Sequence, residues 1–595
     1  MRLILSILLL ALAGGPARAA EGDTPPGPLS EAAPRGSPLE SEVRAWVKEV
    51  PKEASGAFLR FYEGRGWRPA WFTAEGRALP QASRFVAALC DAETEGLRPE
   101  RYHRAALDEA LRQRAAEGNE GEAWVPLELR LTSSFLTYAT HLLGGQVRAR
   151  GGPQADGVEV GQVLEAALAS GRVVEVLRGL SPQQEGFVKL RAALSRYRGL
   201  AAAGGWPQVP EGGTLKPGMR DARVAVLRQR LRVTGELKAP LEERMLDLGE
   251  EGVGVAAVLE GVLQRAVREE ETVPVEPLPP PEDFFDAEVE AAVKAFQRRH
   301  GLKADGSVGK ETLAALRVPV EERITQLLVN LERWRRAPRD LGTRYVLVNL
   351  PAFELEAVAG GQPVLRMRVV IGAQDWQTPI FDDAVEYLEL NPEWHVPNGI
   401  LTKEVLPKLQ EDAGAAARLG LQVVERATGA IIDPTSVDWS AQVEGPLPYR
   451  FAQAPGASNP LGRVKFMFPN RYAVYLHDTP NRAAFEETSR AFSHGCVRVE
   501  EPLRLAAFLL QGHESWTEET LAAALDGKTP RRVVLPQPVP VHLLYWTAFV
   551  DAEGAVNFRP DLYRQDGAVR RALALEKVKV PAVGEGPAAC TQARG

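Results

Sequence analysis

The sequence predicts a multidomain α+β protein, with helices in its first half and mainly strands in its second. Three observations support this fold class. The chain has 595 residues, which is too long for a single hydrophobic core. Apolar residues recur at helical spacing up to about residue 336. From Arg344 onward they alternate or run in short apolar pieces bounded by turns, as is typical of strands.

The composition is that of an ordinary globular protein. Hydrophobic residues make up 45% of the chain and charged residues 25%, the formal net charge is −7, and no long basic run is present. Because nucleic-acid surfaces need clustered Lys and Arg, we expect no nucleic-acid partner.

The first residues have the pattern of an export signal. Arg2 precedes an apolar run over 3–13, and Ala17-Arg18-Ala19 has the spacing of a cleavage site. The run is shorter than the about 20 apolar residues of a membrane helix, and no cysteine directly follows it that could carry a lipid. We therefore predict a signal peptide over 1–19, an exported protein without a stable membrane span, and a flexible leader over 20–38.

Residues 39–205 are predicted to form a helical domain, because apolar positions repeat mainly at helical spacing. The stretch AFLRFYEGRGWRPAWF at 57–72 is dense in aromatic side chains. Such a cluster lines a sugar-binding groove or builds a core, and a core is the commoner outcome. The Gly- and Pro-containing segment 201–213 has the composition of a linker.

A small three-helix domain is predicted over 214–317, interrupted by an insertion over 236–283. Its first part has a Pro217-Gly218 turn followed by apolar residues at helical spacing. Its second part opens at Asp286, a favourable helix N-cap. Residues 318–343 are predicted to contain a connecting helix.

A mainly β domain is predicted over 344–512. Segments such as RYVLVNL, FELEAVA and LRMRVVIG alternate or run apolar, with a Gly360-Gly361 turn between the second and third. Residues 401–450 are more polar and helical, and are predicted to be an insertion that covers the sheet. An extension of this β domain over 513–575, with a final hairpin, and a disordered tail over 576–595 are predicted to follow.

The segment YLHDTPNRAAFEETSRAFSHGCVRVE at 475–500 carries the candidate chemistry. A thiol becomes an effective nucleophile when a nearby histidine accepts its proton. His477 suits this role for Cys496, because it ends the predicted alternating strand RYAVYLH, on which Tyr475 and His477 share one face. The opposite face of that strand is predicted to carry Tyr472, Val474 and Leu476 and to face the core. At least one cysteine is unpaired, since the chain has only three, Cys90, Cys496 and Cys590.

The loop around Cys496 contains further groups that acyl transfer requires. Gly495 lets the backbone pass close to a substrate carbonyl, so the N–H groups near Gly495 and Cys496 are candidates for binding a developing oxyanion. Arg498 is expected to face the same way as Cys496, where it would neutralise charge or brace the loop.

Two other interpretations of the cysteine remain open. A lone cysteine is often an inert buried residue, and His477, His494 and Cys496 are all competent zinc ligands. The polar neighbours of Cys496 argue against the first interpretation. The H-x16-H-x-C spacing lacks the short ligand pairs of structural zinc sites, so we favour a nucleophile and expect no metal. His395 is expected to be a packing or hydrogen-bonding residue.

The same segment resembles the signature of the L,D-transpeptidases, the YkuD-type catalytic domain, in which a histidine and a spacer precede S-H-G-C-x-R. The stretches TPIFDDAVEYLELNPEWHVP, NPLGRVKFMFPN and PVPVHLLYWTAFVDAEGAVNFRPDLY resemble the large periplasmic YcbB-like branch of that family. The helical segment with EGLRPERYH is similar to the scaffold domain of this branch, and the three-helix pattern resembles a peptidoglycan-binding domain.

The resemblance implies Cys496 as the acylated nucleophile and His477 as its proton acceptor. The implied oxyanion-hole and supporting residues are Gly495, Tyr475, Arg498, His494 and Ser493, of which the last two shape the loop. It further implies a β-sandwich-like catalytic domain, with 401–450 as a subdomain that caps the cleft.

The implied reaction takes place in the periplasm or cell envelope and needs no cofactor. A thioester forms with the third residue of a donor stem tetrapeptide, D-alanine leaves, and an acceptor amine completes a 3→3 cross-link in cell wall biogenesis, a process that sets cell shape. The implied partners are donor and acceptor stem peptides, with other cell-wall synthases as further candidates. With the same nucleophile, an L,D-carboxypeptidase or an enzyme that attaches an envelope protein to peptidoglycan remains an alternative. The non-enzyme alternative is a catalytically inactive wall-binding protein.

Overall fold

The computed structural model of the chain describes residues 38–49, 52–116, 124–147, 159–238, 281–440 and 447–575, which form two compact units. The first unit contains the described residues up to Ala337, the segment Ala548–Phe558 and the segment that begins at Asp566. The second contains Pro338–Thr547 and Arg559–Gln565. The predicted signal peptide, nearly all of the leader, most of the 236–283 insertion and the predicted tail lie outside the described residues.

The first unit begins with a helical domain whose aromatic side chains build the core. Phe58, Phe61, Tyr62, Trp71 and Phe72 are all buried, so the aromatic cluster packs internally, as expected for a core. The helices of this domain are α1 (Pro38–Glu49), α2 (Lys52–Gly64), α3 (Pro80–Ala88), α4 (Asp91–Thr94), α5 (Arg104–Ala116), α6 (Val125–Gly144), α7 (Val160–Ser170), α8 (Val173–Leu180) and α9 (Glu185–Ala202).

A smaller three-helix domain follows in the first unit. The Asp286 carboxylate accepts a hydrogen bond from the Val289 N–H at 2.9 Å, which is the N-cap that the sequence predicts. Apolar side chains from the three helices, such as Val224, Phe296 and Leu316, form its core. These helices are α10 (Ala222–Thr234), α11 (Ala287–Arg299) and α12 (Lys310–Leu316), and the helix that follows them is α13 (Val320–Arg336).

The described part of the second unit contains thirteen strands: β1 (Arg344–Asn349), β2 (Glu354–Ala359), β3 (Gln362–Gly372), β4 (Phe381–Leu390), β5 (Trp394–His395), β6 (Gln422–Glu425), β7 (Ile431–Ile432), β8 (Tyr449–Gln453), β9 (Val464–Met467), β10 (Leu476–His477), β11 (Ala491–Ser493), β12 (Val497–Val499) and β13 (Arg531–Leu544). Nine of them form one sheet of order β11-β3-β12-β10-β9-β4-β13-β1-β2. Because β2 also pairs with β3, the sheet closes on itself. The predicted multidomain α+β fold class is confirmed.

Side chains enclosed by this sheet form the core of the second unit. Val348, Val369, Phe466 and Val541 come from four different strands and are fully buried. The long strand β13 runs between β4 and β1, antiparallel to the former and parallel to the latter. Two helices pack against the sheet core, α17 (Pro502–Leu510) and α18 (Glu518–Asp526).

A subdomain between β4 and β9 has its own sheet, of order β5-β8-β6-β7, and its own core around Leu401, Val423 and Phe451. The sequence suggested a mainly helical insertion here, and the structure adds four short strands to the helices. The helical part consists of α14 (Asn398–Ile400), a π-helical turn (Leu401–Val405), α15 (Leu406–Glu411) and α16 (Ala415–Arg418). We call residues 394–453 the cap.

The chain after β13 contributes residues first to one unit and then to the other. It forms a hairpin of β14 (Ala548–Val550) and β15 (Val556–Phe558) in the first unit, where Phe558 packs on Tyr197 of α9 with 5.6 Å between ring centroids. The chain then contributes Arg559–Gln565 to the second unit, and ends its described part with α19 (Asp566–Ala572) in the first. Among the described helices, none combines the length and apolar character needed to cross a membrane.

Candidate active site

Cys496 lies in the short loop that joins β11 to β12. Its thiol is free and partly accessible, whereas Cys90 is disulfide-bonded. Its Sγ lies 4.0 Å from the backbone oxygen of Ala473. The loop is held against β10, because β12 and β10 pair in parallel with Leu476 opposite Val497. This pairing brings the cysteine loop and the strand that carries His477 together.

His477 is buried, and one of its ring nitrogens is fixed by the backbone. Its Nδ1 lies 2.5 Å from the Asp478 carbonyl oxygen. Because a carbonyl only accepts, Nδ1 carries the proton, and Nε2 of the neutral ring keeps its lone pair. The pKa of His477 is lowered to about 3, first by burial and then by the positive charge of Arg498. The imidazole is therefore a neutral base at physiological pH.

Burial also controls the thiol. It raises the pKa of Cys496 above its ordinary value, although hydrogen bonds from the backbone and side chain of Tyr475 work in the opposite direction. Tyr475 lies beside His477, with 5.7 Å between ring centroids. The resting pair is thus a thiol and a neutral imidazole, and a proton has to move when the sulfur attacks.

Positive charge surrounds this pair. The Lys465 ammonium lies 4.3 Å from the centroid of the Tyr475 ring and is paired with Glu389 at 3.1 Å. Arg498 lies close enough to lower the pKa of both His477 and Cys496. Within the described chain, its Nε is buried without a hydrogen-bond partner, and no carboxylate forms an ion pair with it. Arg498 thus presents a cation that this part of the chain does not neutralise.

Ser493 shapes the cysteine loop through two hydrogen bonds. Its Oγ donates to the Cys496 carbonyl at 2.5 Å and accepts from the Gly495 N–H at 3.2 Å. Gly495 has φ +109°, a conformation that favours glycine. Because its N–H is already bonded, Gly495 is a poorer oxyanion donor than the sequence suggested, and Cys496 supplies the better candidate.

His494 faces the cap. Its Nε2 contacts the Glu404 carboxylate on the π-helical turn, and its ring lies edge-on to Trp376 at 5.1 Å. Lys403 of the same turn lies 4.2 Å from the centroid of the Trp376 ring. His494 therefore links the cysteine loop to the cap. Sequence reasoning missed Trp376, Lys403 and Glu404, because only the folded chain brings them to the loop.

The strand that carries His477 is shorter than the sequence predicts. Only Leu476–His477 is a strand, and residues before it form a turn in which Ala473 has φ +53°. The Asn470 side chain stabilises this turn by donating to Val474 O at 2.7 Å and accepting from the Tyr472 N–H at 3.0 Å. Tyr472 is consequently 40% exposed, and the expectation that it faces the core is wrong. Val474 and Leu476 are buried as expected.

The described residues contain no group of three or more His, Cys, Asp and Glu side chains arranged to hold a metal ion. His395 lies on the cap, exposed, with its Nε2 3.1 Å from Glu393. It is not brought to Cys496 by any contact in the described chain.

Comparison with protein families assigns the region that contains this site. Residues 343–530 match the model of the L,D-transpeptidase catalytic domain. The region is an L,D-transpeptidase catalytic domain. Residues 56–194 match a scaffold domain, and residues 276–316 match a model described as "Putative peptidoglycan binding domain". Models of three different domains thus match successive parts of the chain.

Individual relatives carry the same name. A curated protein of Haemophilus influenzae, named "Putative L,D-transpeptidase", is 35% identical over 253 residues, which are 42% of this chain and 50% of the relative. The chain thus spans about half the length of that relative. An L,D-transpeptidase structure from Xylanimonas cellulosilytica covers 56% of this chain and 98% of its own, at 17% identity and a TM-score of 0.17. One from Mycobacterium smegmatis covers 34% and 58%, at 11% identity and a TM-score of 0.15. At TM-scores this low, neither structure supports a conclusion about the fold of this chain.

Proposed function

We propose that the chain is a peptidoglycan L,D-transpeptidase in which Cys496 is the nucleophile and His477 the general base. The observation that carries the proposal is that a free thiol, in the loop that leads into β12, and a buried, neutral imidazole, on the parallel neighbouring strand β10, lie in the region that matches the transpeptidase domain. The match of residues 276–316 to a peptidoglycan-binding domain supports peptidoglycan as the substrate.

The first half-reaction forms a thioester. The sulfur of Cys496 attacks the carbonyl carbon of the third residue of a donor stem tetrapeptide, and Nε2 of His477 takes the thiol proton. The carbonyl oxygen becomes negative and accepts a hydrogen bond from the backbone N–H of Cys496. The amide bond then breaks, and the His477 imidazolium gives its proton to the amine of the departing D-alanine.

The second half-reaction forms the cross-link. The side-chain amine of the third residue of an acceptor stem attacks the thioester, and His477 takes a proton from that amine. The carbon–sulfur bond breaks, and the thiolate leaving group recovers the proton from His477. The product is a 3→3 cross-link, and the enzyme returns to its starting protonation state without a cofactor.

The remaining residues of the site support these steps. Tyr475 donates to the thiolate and shares a wall with His477. Arg498, which has no counter-ion in the described chain, is suited to neutralise the charge that develops at the site. Ser493 and Gly495 fix the loop, and His494 connects it to the cap.

The proposal includes the setting of the reaction. The signal-like residues 1–19 direct the chain to the cell envelope, and the domain over 214–317 holds it near the wall. Donor and acceptor stem peptides are its partners, and other synthases of the wall are candidates for joint action.

The test compares the full chain with a Cys496→Ala variant on disaccharide-tetrapeptide, with products identified by mass spectrometry. We expect 3→3 dimers only from the unsubstituted protein, together with an intermediate whose mass corresponds to an acylated Cys496. Tripeptide monomers without dimers would show that the protein is an L,D-carboxypeptidase and not a transpeptidase. Equal amounts of product from the alanine variant would refute Cys496 as the nucleophile. The absence of product from both proteins would favour the alternative of a catalytically inactive wall-binding protein.

A further inference from the structure

We propose that Thr378 and Tyr563 are positioning residues that orient the peptide between Gly495 and Cys496, so that the Cys496 N–H points at the oxygen of the reacting carbonyl. This inference rests on the proposed function, since it concerns the oxyanion formed when Cys496 is acylated. Neither residue belongs to the Ser-His-Gly-Cys segment, and Tyr563 lies beyond residue 530, where the catalytic-domain match ends.

The Thr378 hydroxyl holds the carbonyl of Gly495. Its Oγ1 donates to Gly495 O at 2.8 Å and accepts from the Gly372 N–H at 2.9 Å, so its hydrogen and one lone pair are both engaged. Thr378 is 1% exposed, so its hydroxyl is shielded from bulk solvent. The orientation of the Gly495 carbonyl is fixed from the interior of the domain.

The geometry of the peptide bond carries this orientation to Cys496. The C=O of Gly495 and the N–H of Cys496 belong to the same peptide plane and point in opposite directions in a trans peptide. The described chain contains no cis peptide. Because the carbonyl points at Thr378, the Cys496 N–H points away from it.

The Cys496 N–H is also available. The Gly495 N–H is bonded to Ser493 Oγ, and the Val497 N–H donates to Tyr475 O at 3.1 Å. Within the described residues, the Cys496 N–H has no hydrogen-bond acceptor. An oxyanion that forms beside the sulfur requires a backbone N–H that is fixed in direction and has no acceptor within the protein. The Cys496 N–H meets both conditions.

Tyr563 supports Thr378 from behind. Its hydroxyl donates to Gly372 O at 2.6 Å and accepts from the Thr378 N–H at 3.3 Å, so it ties the end of β3 to the threonine. Gly372 has no room for a side chain, because an added Cβ would lie 2.0 Å from Trp376 O and 3.0 Å from the Gly495 Cα. The phenol thus fixes the backbone against which the cysteine loop packs.

Tyr563 is itself held rigidly. Its N–H donates to the Tyr545 hydroxyl at 2.7 Å, and that hydroxyl donates to Asp561 at 2.8 Å. The two tyrosine rings stack with 5.6 Å between centroids, and both residues are buried. A connected set of hydrogen bonds therefore runs from Asp561 through Tyr545, Tyr563 and Thr378 to the Gly495 carbonyl.

The test separates acylation from plain thiol reactivity. Alkylation of Cys496 by iodoacetamide forms no oxyanion, whereas acylation by disaccharide-tetrapeptide does. Thr378→Val removes the hydroxyl with little change of shape, Thr378→Ser keeps it, and Tyr563→Phe removes only the phenol oxygen. Each full-chain variant is assayed for the alkylation rate, the single-turnover acylation rate, kcat and KM.

We expect Thr378→Val to slow acylation and lower kcat about 10- to 100-fold, because misdirecting one oxyanion donor has effects of this order. KM and the alkylation rate should stay within about twofold, and Thr378→Ser should restore most of the acylation rate. Tyr563→Phe should slow acylation about 3- to 10-fold, also without slowing alkylation.

Two results would overturn the inference. Unchanged acylation in Thr378→Val would show that the donor does not depend on this residue. Equal losses in acylation and alkylation would show that the substitution only disorders the loop. If the unsubstituted protein forms no acyl-enzyme, the proposed function fails first, and the Cys496→Ala comparison identifies that case.

Discussion

Burial of His477 determines the pH range in which the proposed base is competent. Because its pKa is lowered to about 3, the ring is neutral at pH 5, where a histidine with the ordinary value of 6.5 would be mostly protonated. We expect kcat/KM for donor acylation to stay flat from about pH 7 down to pH 5 and to fall only as pH approaches the His477 pKa. Circular dichroism at each pH controls for unfolding. An acid limb with an apparent pKa near that of an ordinary histidine would contradict the assignment of His477.

Arg498 is expected to have opposite effects on catalytic activity and on folding stability. Its guanidinium is largely desolvated and lacks a counter-ion in the described chain, so it costs folding free energy. We expect Arg498→Met to leave the free energy of unfolding unchanged or to raise it by about 1 kcal/mol, while kcat/KM falls at least about tenfold. Denaturant melts and donor kinetics measure the two effects.

A matched variant decides how the Arg498 result is interpreted. Arg498→Lys keeps the charge and should retain more activity than Arg498→Met, although it lacks the planar guanidinium. A clear loss of stability in Arg498→Met would mean that the arginine braces the loop rather than serving the reaction.

At the scale of elements, patterns that depend on near neighbours were predictable from the sequence. The N-cap at Asp286 and the connecting helix within 318–343 follow from local signals, and the structure contains both, the second as α13. That the Cys496 loop lies beside the strand that carries His477 was also predictable, because the strand and the loop lie close together in the chain.

Elements that depend on distant contacts were not predictable. The run RYAVYLH alternates like a strand, but the Asn470 side chain satisfies the backbone of a turn there and only its last two residues pair. The four short strands of the cap stabilise one another and have no strong pattern of their own. Thr378 reaches Gly495 across 117 positions of sequence, a contact that no local signal announces.

The cap contact at His494 offers a test of how water is excluded. Both side chains of the Glu404–His494 pair are partly exposed, so its loss should change stability by less than about 1 kcal/mol. If the cap shields the thioester, Glu404→Gln should raise the ratio of tripeptide to cross-linked dimer about two- to fivefold. Mass spectrometry gives the ratio. The control is Glu411→Gln, an exposed substitution on the same helical part of the cap. An equal shift of the ratio in both variants would show that the Glu404–His494 contact does not control water exclusion.

At the scale of the whole molecule, the hairpin β14–β15 makes the first unit dependent on the end of the chain. Phe558 is 1% exposed and contacts three parts of that unit: Tyr197 of α9, His300 at the end of α11 and Arg323 of α13. We expect Phe558→Ala to destabilise the first unit by about 3–5 kcal/mol, as for other buried phenylalanines. Denaturant unfolding followed by the tryptophans measures this loss. Val534→Ala, at a 61% exposed site, should change little, and a similar change in both variants would disprove the role of Phe558.

The catalytic sheet has a comparable dependence on late residues. Its interior strand β13 begins at Arg531, just after the family match ends, and Tyr563 is later still. A reading frame that stopped shortly after Cys496 would encode the intact Ser-His-Gly-Cys motif but neither of these parts. Such a gene would be counted as an enzyme by any motif search, yet its product would lack an interior strand of the sheet. In genomes that carry shortened copies of this gene, activity should therefore be assigned only where the coding sequence extends through Tyr563.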